Sequence, residues 1–344
     1  METTVAYVGT YTDTESEGIY RCQIDESTAE VTEGVLVAET DEPSFLAVDP
    51  DRQYLYAVNE LKEGAVTAYR IAGDDPLERL NQQVIGPADP CHCSVDATGN
   101  FLFVAHYTGS AVSVLPIDDD GRVGDPTVTH HSGSSVDPDR QTAPHPHSIV
   151  PAPNNEFVYV PDLGTDEVVV YDLDRTDGQL ERQTSFSARD RAGPRHLEFG
   201  PGGSEAYLIN ELDSTVTVFD WDDESGELSE IDTVSTLPAD YDGDNITADI
   251  HVHPSGSYVY GSNRGHDSIA VFERTANGLE RLEIVETTGN LPRNFLVAPS
   301  GEALFVANAR SNDIVGFELD RTDGTTSDAV DRLSVPKPTC IRPI

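Results

Sequence analysis

Apolar and polar positions along this chain alternate in short runs broken by Gly, Pro, Asn and Asp, the pattern of strands and turns. The clearest passage reads Pro194-Arg195-His196-Leu197-Glu198-Phe199, then Ala206-Tyr207-Leu208-Ile209-Asn210-Glu211, then Val216-Thr217-Val218-Phe219-Asp220. These runs alternate or are rich in β-branched and aromatic residues, with none of the three-to-four spacing of a helix. If the strands are antiparallel neighbours, the start of the first and the end of the second lie at one sheet edge, which brings Arg195 and Glu211 together.

The passage recurs, with copies beginning at Pro43, Pro90, Pro146, Pro194, Ala248 and Pro292, spaced 47, 56, 48, 54 and 44 residues apart. A period of about 40 to 50 residues with several strands per unit marks propeller blades. At the N-terminus, Val5-Ala6-Tyr7-Val8-Gly9-Thr10-Tyr11 and Gly18-Ile19-Tyr20-Arg21 match the second and third strands of a unit that lacks its first. Pro338-Thr339-Cys340-Ile341-Arg342-Pro343, at the other end, resembles the first strand Pro43-Ser44-Phe45-Leu46-Ala47-Val48. The expectation is therefore one all-β domain over 1–344, a seven-bladed β-propeller of four-stranded blades whose ring is closed by N- and C-terminal strands sharing one blade. Closure of this kind leaves few free strand edges. The longest stretches without a strand pattern, Asp118 to Pro144 and Leu237 to Thr247, each precede a first strand and should reach over the rim that carries Arg195 and Glu211.

Charge narrows the partners. The chain has 62 acidic and 21 basic residues, a formal net charge of −41, with the acids spread over nearly every turn. Such a surface keeps a protein soluble where salt screens self-repulsion, and points to a salt-accumulating cytoplasm. It also repels nucleic acid and anionic membranes, so neither is an expected partner; the sequence does not specify protein partners. Met1-Glu2-Thr3-Thr4 has no basic flank or apolar core of a leader, and no apolar run approaches the length of a membrane span. Four cysteines are too few for a disulfide scaffold. Cys91-His92-Cys93 lacks zinc-site spacing and a second pair, and reads as core, so no metal is expected.

Residues that open a first strand or close a second should face one rim of the channel. The openings supply His92, His145, His147, Arg195, Asp249 and Arg293; the closings supply Glu60, His106, Asp162, Glu211, Arg264 and Asn308, with Tyr11 from the composite blade. Each has a structural reading: Arg195 and Arg264 serve equally well to pair with Glu211, Asp162 or Asp249 and tie blades together, and His92 suits core packing. Taken together they suit acyl chemistry on an anion. Arginines hold carboxylate or phosphate and stabilise charge developing on an acyl oxygen, and a Glu or His moves the proton. No Ser stands in a G-x-S-x-G turn, no Gly-rich loop cradles a phosphate, and no redox-cofactor motif is present, so no cofactor is expected.

Tyr7-Val8-Gly9-Thr10-Tyr11, Pro144-His145-Pro146-His147-Ser148, Gly193-Pro194-Arg195-His196, Asn210-Glu211-Leu212, Ser262-Asn263-Arg264-Gly265-His266-Asp267 and Pro292-Arg293-Asn294-Phe295, in this order, resemble the seven-bladed propeller lactonases. That family includes bacterial 6-phosphogluconolactonases of the propeller type and fungal carboxymuconate cyclases. The resemblance covers almost the whole chain. It implies His147, Arg195, Glu211 and Arg264 as active-site residues and hydrolysis of 6-phosphogluconolactone or a related sugar lactone, without metal. A water-activating base, Glu211 or His147, would act with Arg195 and Arg264 on the carbonyl oxygen. His145, Asp249, Arg293, Glu60 and His106 are the expected substrate-binding set around a small anionic lactone. A lactonising cyclase acting on an unsaturated dicarboxylate, and a non-catalytic propeller that binds an anion or a protein, are the alternatives. The acidic 118–144 stretch is a departure that could reshape the pocket mouth.

Overall fold

The computed structural model describes residues 3–73 and 76–344. The described residues form seven four-stranded antiparallel sheets and contain no helix. Blade 1 pairs the two ends of the chain, in the order Pro338–Pro343, Thr3–Thr10, Gly18–Asp25, Val31–Glu39. The other six follow in sequence, their first strands being Leu46–Val48, Pro90–Val95, Val150–Pro151, Pro194–Phe199, Ile246–Val252 and Pro292–Val297. The fold is the seven-bladed β-propeller with a shared terminal blade that the repeats predict.

The expectation that Asp118 to Pro144 lacks a strand is corrected, since Thr127–His130 pairs with Ala111–Pro116 as the fourth strand of blade 3. With one apolar residue, Val128, it carries no alternation to read. Outer strands elsewhere are similarly polar; Glu78–Gly86 buries only Ile85.

By contact density the chain divides into two compact units, one of Met1–Ser16, Tyr20–Val35 and His196–Ile344, the other of Glu17–Ile19 and Leu36–Arg195. In the first, the second and third strands of adjacent blades interdigitate through Tyr207, Ile209, Val259 and Phe272, and again through Tyr260, Val271, Val306 and Phe317. Blades 6 and 7 are also stapled by Tyr260, whose hydroxyl donates to Gly324 O at 2.9 Å. Gly324 has φ 71°, and a Cβ there would lie 2.4 Å from the Tyr258 ring, so the tight turn needs glycine twice over. In the second unit Phe101, Phe103, Val112, Val158, Val169 and Tyr171 pack blade 3 on blade 4.

Candidate active site

The openings of the first strands are irregular in a repeated way. Pairing passes from Pro292↔Asn308 to Asn294↔Ala307, leaving Arg293 outside the ladder. Blade 3 skips Cys91 between Pro90↔His106 and His92↔Ala105, blade 1 skips Thr339, and blade 6 sets Ala248 and Asp249 against Ser262. A bulge of this kind re-aims one side chain at the end of a sheet. His147 and Arg195 follow Pro146 and Pro194 as Arg293 follows Pro292. In blade 4 the ladder is shorter still, because Pro146, Pro151 and Pro161 have no N–H to give. His147 is held there by its own N–H to Pro161 O at 2.9 Å, and the side chain is buried.

Within the unit containing blades 5 to 7, Glu211 and Arg264 form a buried pair. Nη2 of Arg264 donates to Glu211 Oε2 at 2.8 Å and to Thr247 O at 2.6 Å, and the two side chains are 7% and 3% exposed. The Arg264 Nε–H, also buried, has no partner among the described residues. An orphan buried donor costs about 1–3 kcal/mol, which a ligand oxygen would recover. Burial lowers the Arg264 pKa from the usual arginine range; Glu211 opposes that shift, and the charge of Arg293 adds to it. Arg293 lies over the Tyr11 ring, 5.2 Å from its centroid. Arg264 opens onto a cavity of about 540 Å³ with Asp244, Asn245, Asp267, Leu291 and Arg310, so the 237–247 stretch does reach the mouth beside Arg264.

Asp249 is placed differently from Arg264. Its carboxylate accepts from His196 Nδ1 at 2.7 Å, from His251 Nε2 at 3.0 Å, from Asn294 Nδ2, and from the Phe295 N–H at 3.4 Å. His251 donates through Nδ1 to Glu198 at 2.8 Å, and Asn294 Oδ1 accepts the Ile341 N–H. One buried chain of polar groups thus joins the first strands of blades 5, 6, 7 and 1. Burial alone would raise the pKa of Asp249, but the His251 charge and the hydrogen bonds from both histidines hold it well below the usual carboxylate range. Burial works against the His251 charge, and Asp249 and Glu198 override it, pushing His251 up to about 10. The carboxylate expected to meet substrate is already surrounded by protein donors.

In the other unit Arg195 is buried, 1% exposed, at the start of its strand. His145 stacks on Tyr107, with centroids 4.4 Å apart and planes at 13°, and its Nδ1–H donates to Tyr107 O at 2.9 Å, leaving Nε2 as the acceptor. His147 meets the edge of the same ring at 5.3 Å, and Cys91 Sγ lies 3.8 Å from its Nδ1. Arg140 of the 118–144 stretch donates to the Tyr107 hydroxyl at 3.1 Å, so that stretch does reach the residue carrying His145. Glu60 accepts from Ser44. His106 is fully buried, donating from Nδ1 to Pro87 O and accepting from the Ser113 hydroxyl at Nε2. Burial pushes it down to about 4 against the opposing pull of the Pro87 hydrogen bond. His92 packs on Phe45, centroids 4.3 Å apart, and the four cysteines are buried free thiols.

Two groups beside these candidates are absent from the sequence set. His196 meets Asp249 across 53 residues, and Glu198 meets His251 across the same two blades, partnerships that no local pattern shows. Arg310 lies two residues past Asn308, where the second strand of blade 7 ends, so a reading of strand ends does not reach it; the signal is that offset.

Comparison with known proteins places this architecture. A family model described as lactonase, 7-bladed beta-propeller matches residues 5–343. A 6-phosphogluconolactonase of Bacillus subtilis is 36% identical over 343 residues, 98% of this chain and 97% of that protein. The periplasmic gluconolactonase PpgL of Pseudomonas aeruginosa is 30% identical, covers 100% of this chain and 99% of its own, and superposes with a TM-score of 0.95. A Lactobacillus plantarum protein of solved structure is 32% identical with a TM-score of 0.94 and full coverage of both chains.

Proposed function

Because the chain belongs to the seven-bladed β-propeller lactonase family and is an enzyme of lactone hydrolysis, we infer that its substrate is 6-phosphogluconolactone or a related aldonolactone. The observation that carries the reading is the divided use of Arg264, one guanidinium nitrogen fixed on Glu211 and the buried Nε–H unclaimed beside a substrate-sized cavity. In the proposed reaction, water adds to the carbonyl carbon as its proton passes to Glu211 or His147. The developing oxyanion is stabilised by a guanidinium, the role given to Arg264. The ring C–O bond then breaks and the ring oxygen takes the proton back, releasing the open hydroxy acid. Arg293 or His145 meets the anionic group of the substrate.

The test is a substrate panel on the purified chain in molar potassium chloride, comparing phosphorylated and unphosphorylated sugar lactones with an unsaturated dicarboxylate. Lactone opening that exceeds the spontaneous rate and is lost in Arg264→Met is the expected result. Ring closure of the dicarboxylate without lactone opening would replace the hydrolase reading with the cyclase.

A further inference from the structure

Basic residues are scarce here, and nearly all of them are tied down. Arg21, Arg70, Arg122, Arg274, Arg332 and Lys337, for instance, each pair with an acid. Arg310 is different. Its backbone N–H is fixed to Asn290 O at 3.0 Å, while its exposed guanidinium has no hydrogen bond or ion pair among the described residues. It lines the 540 Å³ cavity with Arg264, and a second cavity of about 570 Å³ with Tyr11, Asp13, Glu15 and Lys337. Tyr11 in turn carries Arg293 on its ring face.

Two of the carboxylates nearby are already engaged. Asp267 is engaged by the Leu291 N–H at 2.9 Å, the Gly265 N–H at 3.3 Å and the Asn290 amide. Asp13 is clasped by Lys337 Nζ at 2.6 and 2.7 Å through both oxygens. The carboxylates of Asp244 and Glu15 have no hydrogen bond or ion pair among the described residues, so each opening keeps one uncommitted acid, and Arg310 is the cation shared by both. Arg264 and Arg293 are near enough to repel one another, a field that an anion between them relieves. Arg264 and Arg310 line the first opening, Arg310 also lines the second, and Arg293 lies over Tyr11 at the second, in a protein of charge −41. The uncommitted charge of Arg310 opposes the field of the rest of the molecule.

We propose that Arg310, with Arg293, is the subsite for the charged end of the substrate, a phosphate monoester or a carboxylate remote from the lactone carbonyl, and that it makes the enzyme selective for anionic over neutral lactones. The proposal rests on the lactonase reading for its reaction centre at Glu211 and Arg264, and adds the group that chooses the substrate class.

The experiment uses the full chain at fixed ionic strength, with 6-phosphogluconolactone, glucarolactone and gluconolactone as phosphate, carboxylate and neutral members of one series. Arg310→Gln should lower the preference for the charged over the neutral lactone, as a ratio of kcat/KM, by about tenfold to a hundredfold, the loss of one charge-assisted hydrogen-bonding group. The loss should fall on KM, and Arg310→Lys should recover part of it. The acidic lactone that loses more identifies phosphate or carboxylate as the natural group. An unchanged ratio in Arg310→Gln, or no preference for charge in the wild type, overturns the subsite. Calorimetry with 6-phosphogluconate separates the two readings. If no lactone is turned over but 6-phosphogluconate binds and Arg310→Gln weakens that binding, the subsite stands and the lactonase reading falls; binding indifferent to Arg310→Gln removes the subsite.

Discussion

Asp249→Asn tests the polar chain that joins four blades. The substitution preserves shape but replaces an acceptor-only carboxylate with an amide. His196 Nδ1–H, His251 Nε2–H and the Asn294 amide all donate to that carboxylate, and an asparagine oxygen cannot serve them all while its own NH₂ faces the same donors. The change also strips one of two counter-charges from the buried His251 imidazolium, leaving Glu198 alone. Breaking a buried pair from one side costs about 3–5 kcal/mol. Unfolding entropy near 2.1 cal/mol/K per residue over 344 residues is about 0.7 kcal/mol/K, so the expected loss in Tm is roughly 4–7 °C. Trp221 is a convenient probe: it is the single tryptophan, buried and edge-on to Phe199 at 4.9 Å, on the blade that carries His196 and Glu198.

The pH profile gives a second readout that a merely bulky defect would not produce. His251 is pushed up to about 10 in the folded protein, so between about pH 6.5 and 10 the folded state binds a proton that the unfolded chain does not. Its stabilisation is complete below about pH 6.5 and drains away as pH rises, with a slope of up to about 1.4 kcal/mol per unit. Asp249 behaves oppositely, its contribution being present above the usual carboxylate range and lost as the medium is made more acid. In Asp249→Asn the His251 pKa drops, the alkaline slope flattens, and the gap from wild type narrows toward pH 10. Denaturation followed by Trp221 fluorescence at pH 6, 8 and 10, in constant molar salt, measures this. Equal stability at pH 6, or parallel curves from 6 to 10, would refute the reasoning, because salt screens a buried network only weakly.

Glu211→Gln should cut kcat on a lactone by about 10² to 10⁴ while KM moves little, and an unchanged kcat assigns the base elsewhere. Folded His106 is held neutral by burial, so it stabilises above about pH 6.5 and loses that contribution toward pH 4; in His106→Gln the acid limb of the stability curve should be flatter, as chemical denaturation between pH 4 and 7 would show. Gly324→Ala should destabilise by about 1–3 kcal/mol through its left-handed backbone and the Tyr258 ring, read as a lower denaturation midpoint.

Much of this was legible because the inner strands are nearly pure signal. Ala206 to Ile209 and Val216 to Phe219 are buried apart from the alternation needed to pack both faces, and their copies recur at blade spacing. The fourth strands are solvent-facing and leave almost no pattern in the sequence, which is why Thr127–His130 carries no strand signal. The rim was readable to within one residue. Asn59, His106, Asp162, Asn210, Asn263 and Asn308 occupy one repeated position, all 0–1% exposed. Asn59 bonds Thr67, His106 bonds Ser113, Asn210 bonds Thr217 and Asn308 bonds Asp313, so this position closes the sheet from inside. Of the residues that come next, Arg264 lines the cavity of its unit and Glu211 is paired with it.

That one-residue offset explains which chemistry the repeat leaves open to change. An acid or histidine at the closing position is engaged by the surrounding backbone and side chains, as Asp162 is by His131 at 2.7 Å and by the His145 N–H at 2.7 Å, and is spent on structure. A side chain one step later, or on the bulge that opens the first strand, meets residues from other blades and is held without being exhausted, as the unclaimed Nε–H of Arg264 demonstrates. Bulges are invisible to hydrophobic alternation, since they add one residue without altering the pattern on either side. The sequence thus announced which residues were unusual, and the bulged register decides which of them remain chemically available. Exchanging Arg293 with its neighbour, as Arg293→Asn with Asn294→Arg, should therefore abolish the anion preference and break the Asp249 network at once, although composition and strand pattern stay the same.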